Sequence, residues 1–223
     1  MELCHQFLDK AVLENGVNLV DTAEQYPIPS DVLNPEGRTE EIIGEWFTRT
    51  GKRADIILAS KVTGPEDGFN WIRGGVSRFT ESSIRKAIEG SLRRLQTDYI
   101  DLYMNHAVND VARVASEEWQ RFTDKARQQG KIRNVGISGH AARLGDCLEY
   151  VLDHNLVDVV LVAYSFAQQP SFKDSVKQYL NEWAPSLDIV SSNQHLPEIL
   201  ERAHGQGVGV MAMKTLKGAR MND

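Results

Sequence analysis

Ile100-Asp101-Leu102-Tyr103-Met104-Asn105-His106 is the stretch of sequence that decides the fold of this chain. It is a short, largely apolar run that ends in a titratable side chain. Strands of a parallel barrel have this pattern when their C-terminal ends open on an active site. We therefore expect a buried parallel strand over 98–106, with His106 at its functional end.

Two earlier segments have the same pattern. The strand predicted at 17–22 contains Asp21, and Tyr26 follows five residues later. The strand predicted at 54–61 ends at Lys61. Because the C-terminal ends of barrel strands converge on one axis, we expect the aspartate, tyrosine and lysine to lie near the histidine described above. Such a group would form an acid-base site.

Apolar runs alternate with amphipathic helices from one end of the chain to the other. Further strands are predicted at 132–138, 157–162 and 208–213, and two late helices near 172–182 and 196–204. This alternation indicates a parallel sheet covered by helices. No G-x-G-x-x-G follows the first strand, and polar residues end several strands, so a barrel is favoured over a doubly wound sheet. We expect one α/β domain over 1–223, of the TIM (β/α)8-barrel type.

Local signals predict where helices begin and which faces they bury. Thr39 is expected to cap the second helix, and Thr80 the helix that follows a long glycine-containing loop at 62–79. Cys147 is expected to be a buried thiol on an apolar helix face. The first helix should present one apolar face, formed by Leu3, Phe7, Leu8, Ala11 and Val12.

Composition excludes several classes of function. The 223 residues are 41% hydrophobic and 25% charged, with a net charge of −6 and no basic run, so we expect no nucleic-acid partner. No apolar stretch approaches the roughly 18 residues of a membrane span, so we expect no membrane association. Two cysteines suit a reducing compartment, and a cytoplasmic location is predicted. Histidines 106, 140 and 154 lack ligand spacing, so no metal site is predicted.

The four polar side chains have complementary roles in the reduction of a carbonyl group. Tyr26 could donate the proton to the oxygen, but a free phenol has a pKa of about 10. The ammonium of Lys61 would lower that pKa, Asp21 would be its counter-ion, and His106 would orient the carbonyl. Taken one at a time, the same residues are commonly packing, capping or solvated side chains, so the surrounding sequence must decide.

Six segments in chain order carry a family resemblance. They are 16–26 (GVNLVDTAEQY), 37–44 (GRTEEIIG), 59–62 (ASKV), 92–103 (LRRLQTDYIDLY), 130–138 (GKIRNVGIS) and 208–214 (VGVMAMK). Together they resemble the aldo-keto reductases. The resemblance implies a (β/α)8 barrel and NADP(H)-dependent reduction of an aldehyde or ketone. It implies Tyr26 as acid/base, Lys61 and Asp21 as its tuning pair, and His106 as the substrate orienter.

The resemblance also implies a set of cofactor contacts. These are Thr22, Ser138, Met213 and Lys214, of which Ser138 matches a residue that holds the nicotinamide carboxamide. Two positions depart from the family pattern, since Gly139 stands where an asparagine is usual and Leu161 where a glutamine is expected. The chain from about 140 onward therefore resembles the family more loosely than 16–106.

The matching pieces account for about six of the eight strands of such a barrel. The segments that resemble the first and last strands are missing, so we expect an incomplete barrel whose open strand edges promote self-association. Two functions stay open. The first is a reductase of a small-molecule carbonyl substrate. The second is a catalytically impaired or non-catalytic barrel fragment that serves as an interaction subunit.

Overall fold

The computed structural model describes residues 2–64, 72–74, 79–140, 142–165 and 195–215. The chain divides into two compact units, of which the first comprises residues 1–107 with 115–136 and the second 108–114 with 137–223. The helix predicted near 172–182 and most of the loop predicted at 62–79 lie outside the described residues. The single domain over 1–223 stays a prediction.

Strands and helices alternate along the described residues. In chain order they are α1 (Glu2–Leu8), a π-helical turn (Asp9–Glu14), β1 (Leu19–Asp21), α2 (Arg38–Thr50), a 3-10 turn (Arg53–Asp55), β2 (Ile57–Val62), a 3-10 turn (Ile72–Gly74), α3 (Glu81–Arg94), β3 (Ile100–Asn105), α4 (Val111–Val114), α5 (Glu117–Gln128), β4 (Ile132–Gly139), α6 (Leu144–Asp153), β5 (Val159–Ala163), α7 (Leu196–Gly205) and β6 (Gly209–Met213). The order of the strands in the sheet is their order in the chain. All six strands predicted from apolar runs are present, mostly with shorter bounds.

The strand register of the first unit brings the polar strand ends to one edge. β1 pairs in parallel with β2, with Asp21 opposite Ala59, and β2 pairs in parallel with β3, with Lys61 opposite Met104. The C-terminal ends of parallel strands share one edge of the sheet. Asp21 and Lys61 therefore emerge there together with His106, which directly follows β3.

A buried apolar cluster in the first unit fixes the face of each strand. Side chains alternate along a strand, so the even-numbered residues of β2 face the helices and Lys61 faces the opposite side. The cluster joins the helix-facing side of the strands to α2, α3 and α5. Its largest members are Trp46, Phe47, Leu58, Ile84, Ile88, Tyr103, Trp119 and Phe122.

The second unit has its own apolar cluster. It combines β5 with α6 and α7, and its members include Cys147, Leu148, Val151, Val160, Val162, Leu196 and Ile199. The prediction of a buried Cys147 thiol is confirmed, and burial raises the pKa of this thiol to about 11. β5 and β6 pair in parallel, with Leu161 opposite Met211.

The cap predicted for α2 was wrong, whereas the cap predicted for α3 is confirmed. α2 begins at Arg38, after Gly37 in a left-handed conformation with φ of 83°, so Thr39 lies inside the helix. The backbone N–H groups of Gly37 and Thr39 instead donate to the carbonyl of Tyr26, which removes the need for a side-chain cap. Thr80 caps α3 by accepting a hydrogen bond from the amide of Ser83.

The apolar face predicted for the first helix is only partly buried. Leu8 and Val12 pack against the first cluster, but Leu3 and Phe7 are 63% and 67% exposed. Polar contacts hold the helix in place, because His5 Nε2 lies 3.0 Å from the carbonyl of Ile42. The outer half of the predicted face is therefore left in solvent.

Close packing of α2 on the end of α3 generates a stability prediction. A Cβ at Gly44 would lie 2.2 Å from the carbonyl oxygen of Arg94, a backbone atom that cannot rotate away. Gly44→Ala should therefore lower the free energy of unfolding by about 1–3 kcal/mol, as overpacking does. Urea unfolding measures this change. Gly205→Ala in α7 is the matched control, since a Cβ there meets nothing within 4 Å. Equal stability of the two variants would contradict the predicted close contact.

Candidate active site

The ammonium of Lys61 is the most deeply buried charge at the strand ends. Its side chain is 1% exposed. The nitrogen donates to Asp21 Oδ2 at 2.7 Å and to the backbone carbonyl of Thr22, also at 2.7 Å. The Asp21 side chain is 31% exposed, so one partner of this ion pair keeps contact with water. The predicted pairing of Lys61 with Asp21 is therefore observed.

Tyr26 and His106 face each other beside that ion pair. The phenol oxygen of Tyr26 lies 3.5 Å from His106 Nε2, and the two rings meet edge to face with centroids 5.6 Å apart. The Lys61 nitrogen lies 5.4 Å from the centroid of the tyrosine ring. His106 is held by its backbone amide, which donates to the carbonyl of Val62 at 3.1 Å. The structure thus brings together all four residues predicted from sequence.

Burial is the largest influence on the pKa values of Lys61, Asp21 and Tyr26. Burial lowers the pKa of Lys61, and the carboxylate of Asp21 opposes this. Burial raises the pKa of Asp21, and the ammonium of Lys61 opposes it. The pKa of Tyr26 is raised, first by burial and then by the negative charge of Asp21.

The last of these shifts differs from the sequence-based expectation. We expected the ammonium of Lys61 to lower the pKa of Tyr26, as an isolated neighbouring cation would. In the structure that ammonium is bound to Asp21, whose charge acts on the phenol in the opposite sense. A phenol is protonated at neutral pH even at its ordinary pKa of about 10, and the upward shift keeps Tyr26 in that form, which suits a proton donor better than a base.

A fully buried carboxylate, that of Glu40, lies on the helix side of β2. Glu40 is fully buried and accepts hydrogen bonds from Ser60 Oγ at 2.6 Å and Arg94 Nε at 2.7 Å. Its negative charge contributes to holding up the pKa of Lys61, after the larger effect of Asp21. Sequence reasoning did not single out Glu40, which lies in the first turn of α2. A carboxylate at that place in a helix gives no sign of burial.

Two further polar residues in the segment after β1 were missed by sequence reasoning. Glu24 is 2% exposed and Gln25 is 5% exposed. Both bind Thr63, whose amide donates to Glu24 and whose hydroxyl donates to Gln25. Arg73 also donates to Glu24. Residues 24 and 25 lie inside the motif quoted for the family resemblance, but nothing in the sequence identifies their partners.

The predicted cofactor contacts are divided between the two units. In the first unit, Thr22 is 1% exposed, and its Oγ1 has no hydrogen-bond partner among the described residues, so it is available to a ligand. In the second unit, Ser138 is 1% exposed, and its carbonyl accepts the amide of Val108 at 2.8 Å. Met213 is half-buried at the end of β6, and Lys214 is exposed with a left-handed φ of 58°.

The packing around Gly139 explains one departure from the family pattern. A Cβ at this position would lie 2.7 Å from Leu144 Cδ1 and 3.0 Å from the carbonyl oxygen of Val108. A side chain here therefore requires the end of the Leu144 side chain to move and the Val108 carbonyl to shift by a few tenths of an ångström. Leu161, which stands where the family pattern has a glutamine, is buried, with 4% exposure. In the second unit, a glycine and a leucine at these two positions offer no side-chain hydrogen bond to an amide.

Other candidate features fall outside this site. Within the described ranges, no three histidine, cysteine or acidic side chains are placed to bind a metal ion together. His154, one of the histidines considered for a metal, stacks on Tyr150 with ring centroids 4.2 Å apart. No described helix combines the length and apolarity needed to cross a bilayer.

Comparison with known proteins finds one family that matches nearly the whole chain. A model of the Aldo/keto reductase family matches residues 2–222. The chain is 36% identical over 155 residues to Protein tas of Escherichia coli (strain K12), a match covering 62% of this chain and 44% of that protein. It is 37% identical over 129 residues to Methylglyoxal reductase YeaE of the same strain, covering 58% and 37% respectively. The matches thus span less than half the length of these curated relatives.

A solved structure gives the same result for the fold. A putative aldo-keto reductase from Pseudomonas aeruginosa superimposes with a TM-score of 0.64 at 25% sequence identity. The match covers 95% of this chain and 64% of that one. The predicted fold class is confirmed as a TIM-type α/β barrel, of which the described residues form six strands and so only part.

The buried ion pair predicts an asymmetry between two substitutions. Asp21→Asn leaves the Lys61 ammonium buried without a counter-ion, so it should cost about 3 kcal/mol of unfolding free energy. Lys61→Met should cost less, because Asp21 keeps contact with water. Urea unfolding at neutral pH compares the two variants.

The matched control for this comparison is the exposed pair of Lys52 and Asp55, whose side chains are 44% and 60% exposed. Asp55→Asn should change the unfolding free energy by less than about 1 kcal/mol. A larger loss from Lys61→Met than from Asp21→Asn would show that the ammonium is not the costly partner.

Proposed function

Because the chain belongs to the aldo/keto reductase family, we propose that it reduces an aldehyde or ketone to an alcohol with hydride from NADPH. The observation that carries this proposal is the position of the Tyr26 hydroxyl, 3.5 Å from His106 Nε2 and beside the buried pair of Lys61 and Asp21. The name of the methylglyoxal reductase relative supports a carbonyl substrate. In barrels of this type, the loops that follow the strands determine which carbonyl compound is bound.

Tyr26 is the proton donor in this proposal. Its raised pKa keeps the hydroxyl protonated at neutral pH, so the proton is present when negative charge develops on the substrate oxygen. The Lys61 ammonium, which Asp21 and the Thr22 carbonyl hold 5.4 Å from the centroid of the phenol ring, offsets part of the effect of the Asp21 charge on the phenolate left behind. His106 Nε2 orients the same oxygen by hydrogen bonding, in the tautomer that carries a proton on this nitrogen.

The cofactor contacts are also part of the proposal. NADPH, when bound, supplies the hydride. The residues that the family resemblance assigns to it are Thr22 in the first unit and Ser138, Met213 and Lys214 in the second. Thr22 fits best, because its buried Oγ1 has no partner within the described part of the chain. A cytoplasmic location belongs to this proposal, since the two free thiols suit a reducing compartment.

An interaction subunit of the same family is the second candidate. The observation in its favour is the exposure of apolar groups on β6 and α1, where Val210 is 41% exposed and Phe7 is 67% exposed. Such groups can be covered by association with another copy of the chain. This candidate predicts no turnover and a mass in solution that increases with protein concentration.

The reductase proposal predicts loss of activity without the phenol hydroxyl. With NADPH and a panel of small aldehydes, the decrease in NADPH absorbance should fall by about 10²–10⁴-fold in Tyr26→Phe, the usual size of a general-acid contribution. Tyr164→Phe, in the second unit, is a control tyrosine substitution. No turnover above the Tyr26→Phe background would rule out catalysis by this chain.

The raised pKa of Tyr26 also predicts the alkaline limit of the reaction. The phenol must be protonated to act as an acid, so reduction should persist up to the pKa of Tyr26 and decline above it. Because burial and Asp21 raise that pKa, the decline in kcat should begin above about pH 10, the ordinary value for tyrosine. A decline centred near pH 8 would mean that another group supplies the proton.

A further inference from the structure

The side chain of Arg73 joins three separate parts of the first unit. Its Nη1 donates to the carboxylate of Glu24 in the segment after β1. Its Nη2 lies 3.3 Å from the carbonyl of Thr63, just after β2, and 3.4 Å from the hydroxyl of Ser83 in the first turn of α3. One guanidinium therefore bridges the ends of two strands and the start of a helix.

The carboxylate of Glu24 is bound from two directions. The amide of Thr63 donates to the same oxygen, Oε1, at 2.6 Å. The backbone amide of Glu24 donates to the carbonyl of Lys61 at 3.3 Å. Glu24 thus attaches the segment that leads from Asp21 to Tyr26 onto the end of the strand that carries Lys61.

Glu24 is buried, whereas Arg73 is partly buried and has a strained backbone. The side chains of Arg73 and Glu24 are 13% and 2% exposed. Arg73 has φ of 60° and ψ of 25°, a left-handed conformation that is uncommon for residues other than glycine. Strained conformations persist where surrounding contacts over-determine them, and they concentrate at functional sites.

We propose that Glu24 and Arg73 are a positioning pair that holds Tyr26 at its place beside Lys61 and His106. This proposal rests on the proposed reductase function. Neither residue touches the reacting atoms, and both act through the backbone between Asp21 and Tyr26. The pair neutralises a carboxylate that would otherwise be buried without a cation, and it couples the segment after β2 to the proton donor.

The backbone itself gives a readout that does not depend on activity. The amides of Thr22, Glu24 and Tyr26 donate to the carbonyls of Ala59, Lys61 and Ala23, respectively. Hydrogen exchange at these amides reports how firmly the segment is held. In Arg73→Met their exchange should be roughly tenfold faster or more, because the buried Glu24 carboxylate loses its cation. Amides within β3 should keep the exchange rates of the unmodified chain.

Arg85→Met is the matched control for hydrogen exchange. Arg85 also pairs with a glutamate, Glu81, but its side chain is 48% exposed and lies on the outer surface of α3. Exchange at the three amides in Arg73→Met equal to that in Arg85→Met would overturn the proposal. If Arg73→Met does not fold, Glu24→Gln takes its place with the same two outcomes, because it keeps an acceptor for Thr63 and removes the charge.

Kinetics separate positioning from a merely structural role. Arg73→Met should lower kcat by about tenfold to a hundredfold with KM for the carbonyl nearly unchanged, the effect of a misplaced reacting group. Arg73→Lys should recover part of kcat, because it restores the charge beside Glu24. Faster exchange with unchanged kcat would overturn the positioning role. If the unmodified chain has no turnover, the reductase function fails, and hydrogen exchange alone decides whether the pair holds the segment.

Discussion

The ammonium of Lys61 is the charge on which the rest of the site depends. A lysine with 1% exposure is costly to bury, so its hydrogen-bond acceptors must be close and fixed. The structure supplies two of them, the Asp21 carboxylate and the Thr22 carbonyl, from adjacent residues at the end of β1. The chain that leaves β1 must therefore turn around the lysine, and Tyr26 is reached within the same turn.

Polar residues buried around this turn keep it rigid. Glu24 and Gln25 bind Thr63 on one side, and Glu40 binds Ser60 on the helix side of β2. Each buried carboxylate has its own arginine, Arg73 for the first and Arg94 for the second. The charges on both faces of β2 are thus paired, which limits the ways in which the segment can repack.

Strand ends could be predicted from the sequence because their signal is local. An apolar run followed by a polar residue identified Asp21, Lys61 and His106, carbonyl chemistry suggested a role for Tyr26, and the family resemblance implied the same roles for all four. The parallel register then brought them together, as strands of this type require.

Contacts made by loops and close packing could not be predicted in the same way. Glu24 forms an ion pair with Arg73, which lies 49 residues later in the chain. The arginine also has a left-handed backbone conformation, which is uncommon for residues other than glycine. The prediction of Thr39 as the cap of α2 was wrong because the backbone carbonyl of Tyr26 accepts the amide hydrogen bonds at the start of this helix. The closed space around Gly139 likewise comes from Leu144 and Val108, which only the fold brings near it.

The ionisation of Tyr26 reports the balance of charges around it and can be measured without cofactor or substrate. Carbon-13 labelling of the tyrosine Cζ, with Tyr26→Phe to assign the signal, gives the pKa of Tyr26 by NMR titration. We expect a pKa above the ordinary tyrosine value in the unmodified chain and a lower one in Asp21→Asn, because one of the two causes that raise it, the negative charge of Asp21, is gone. An unchanged or higher pKa of Tyr26 in Asp21→Asn would show that Asp21 does not control the ionisation of the phenol.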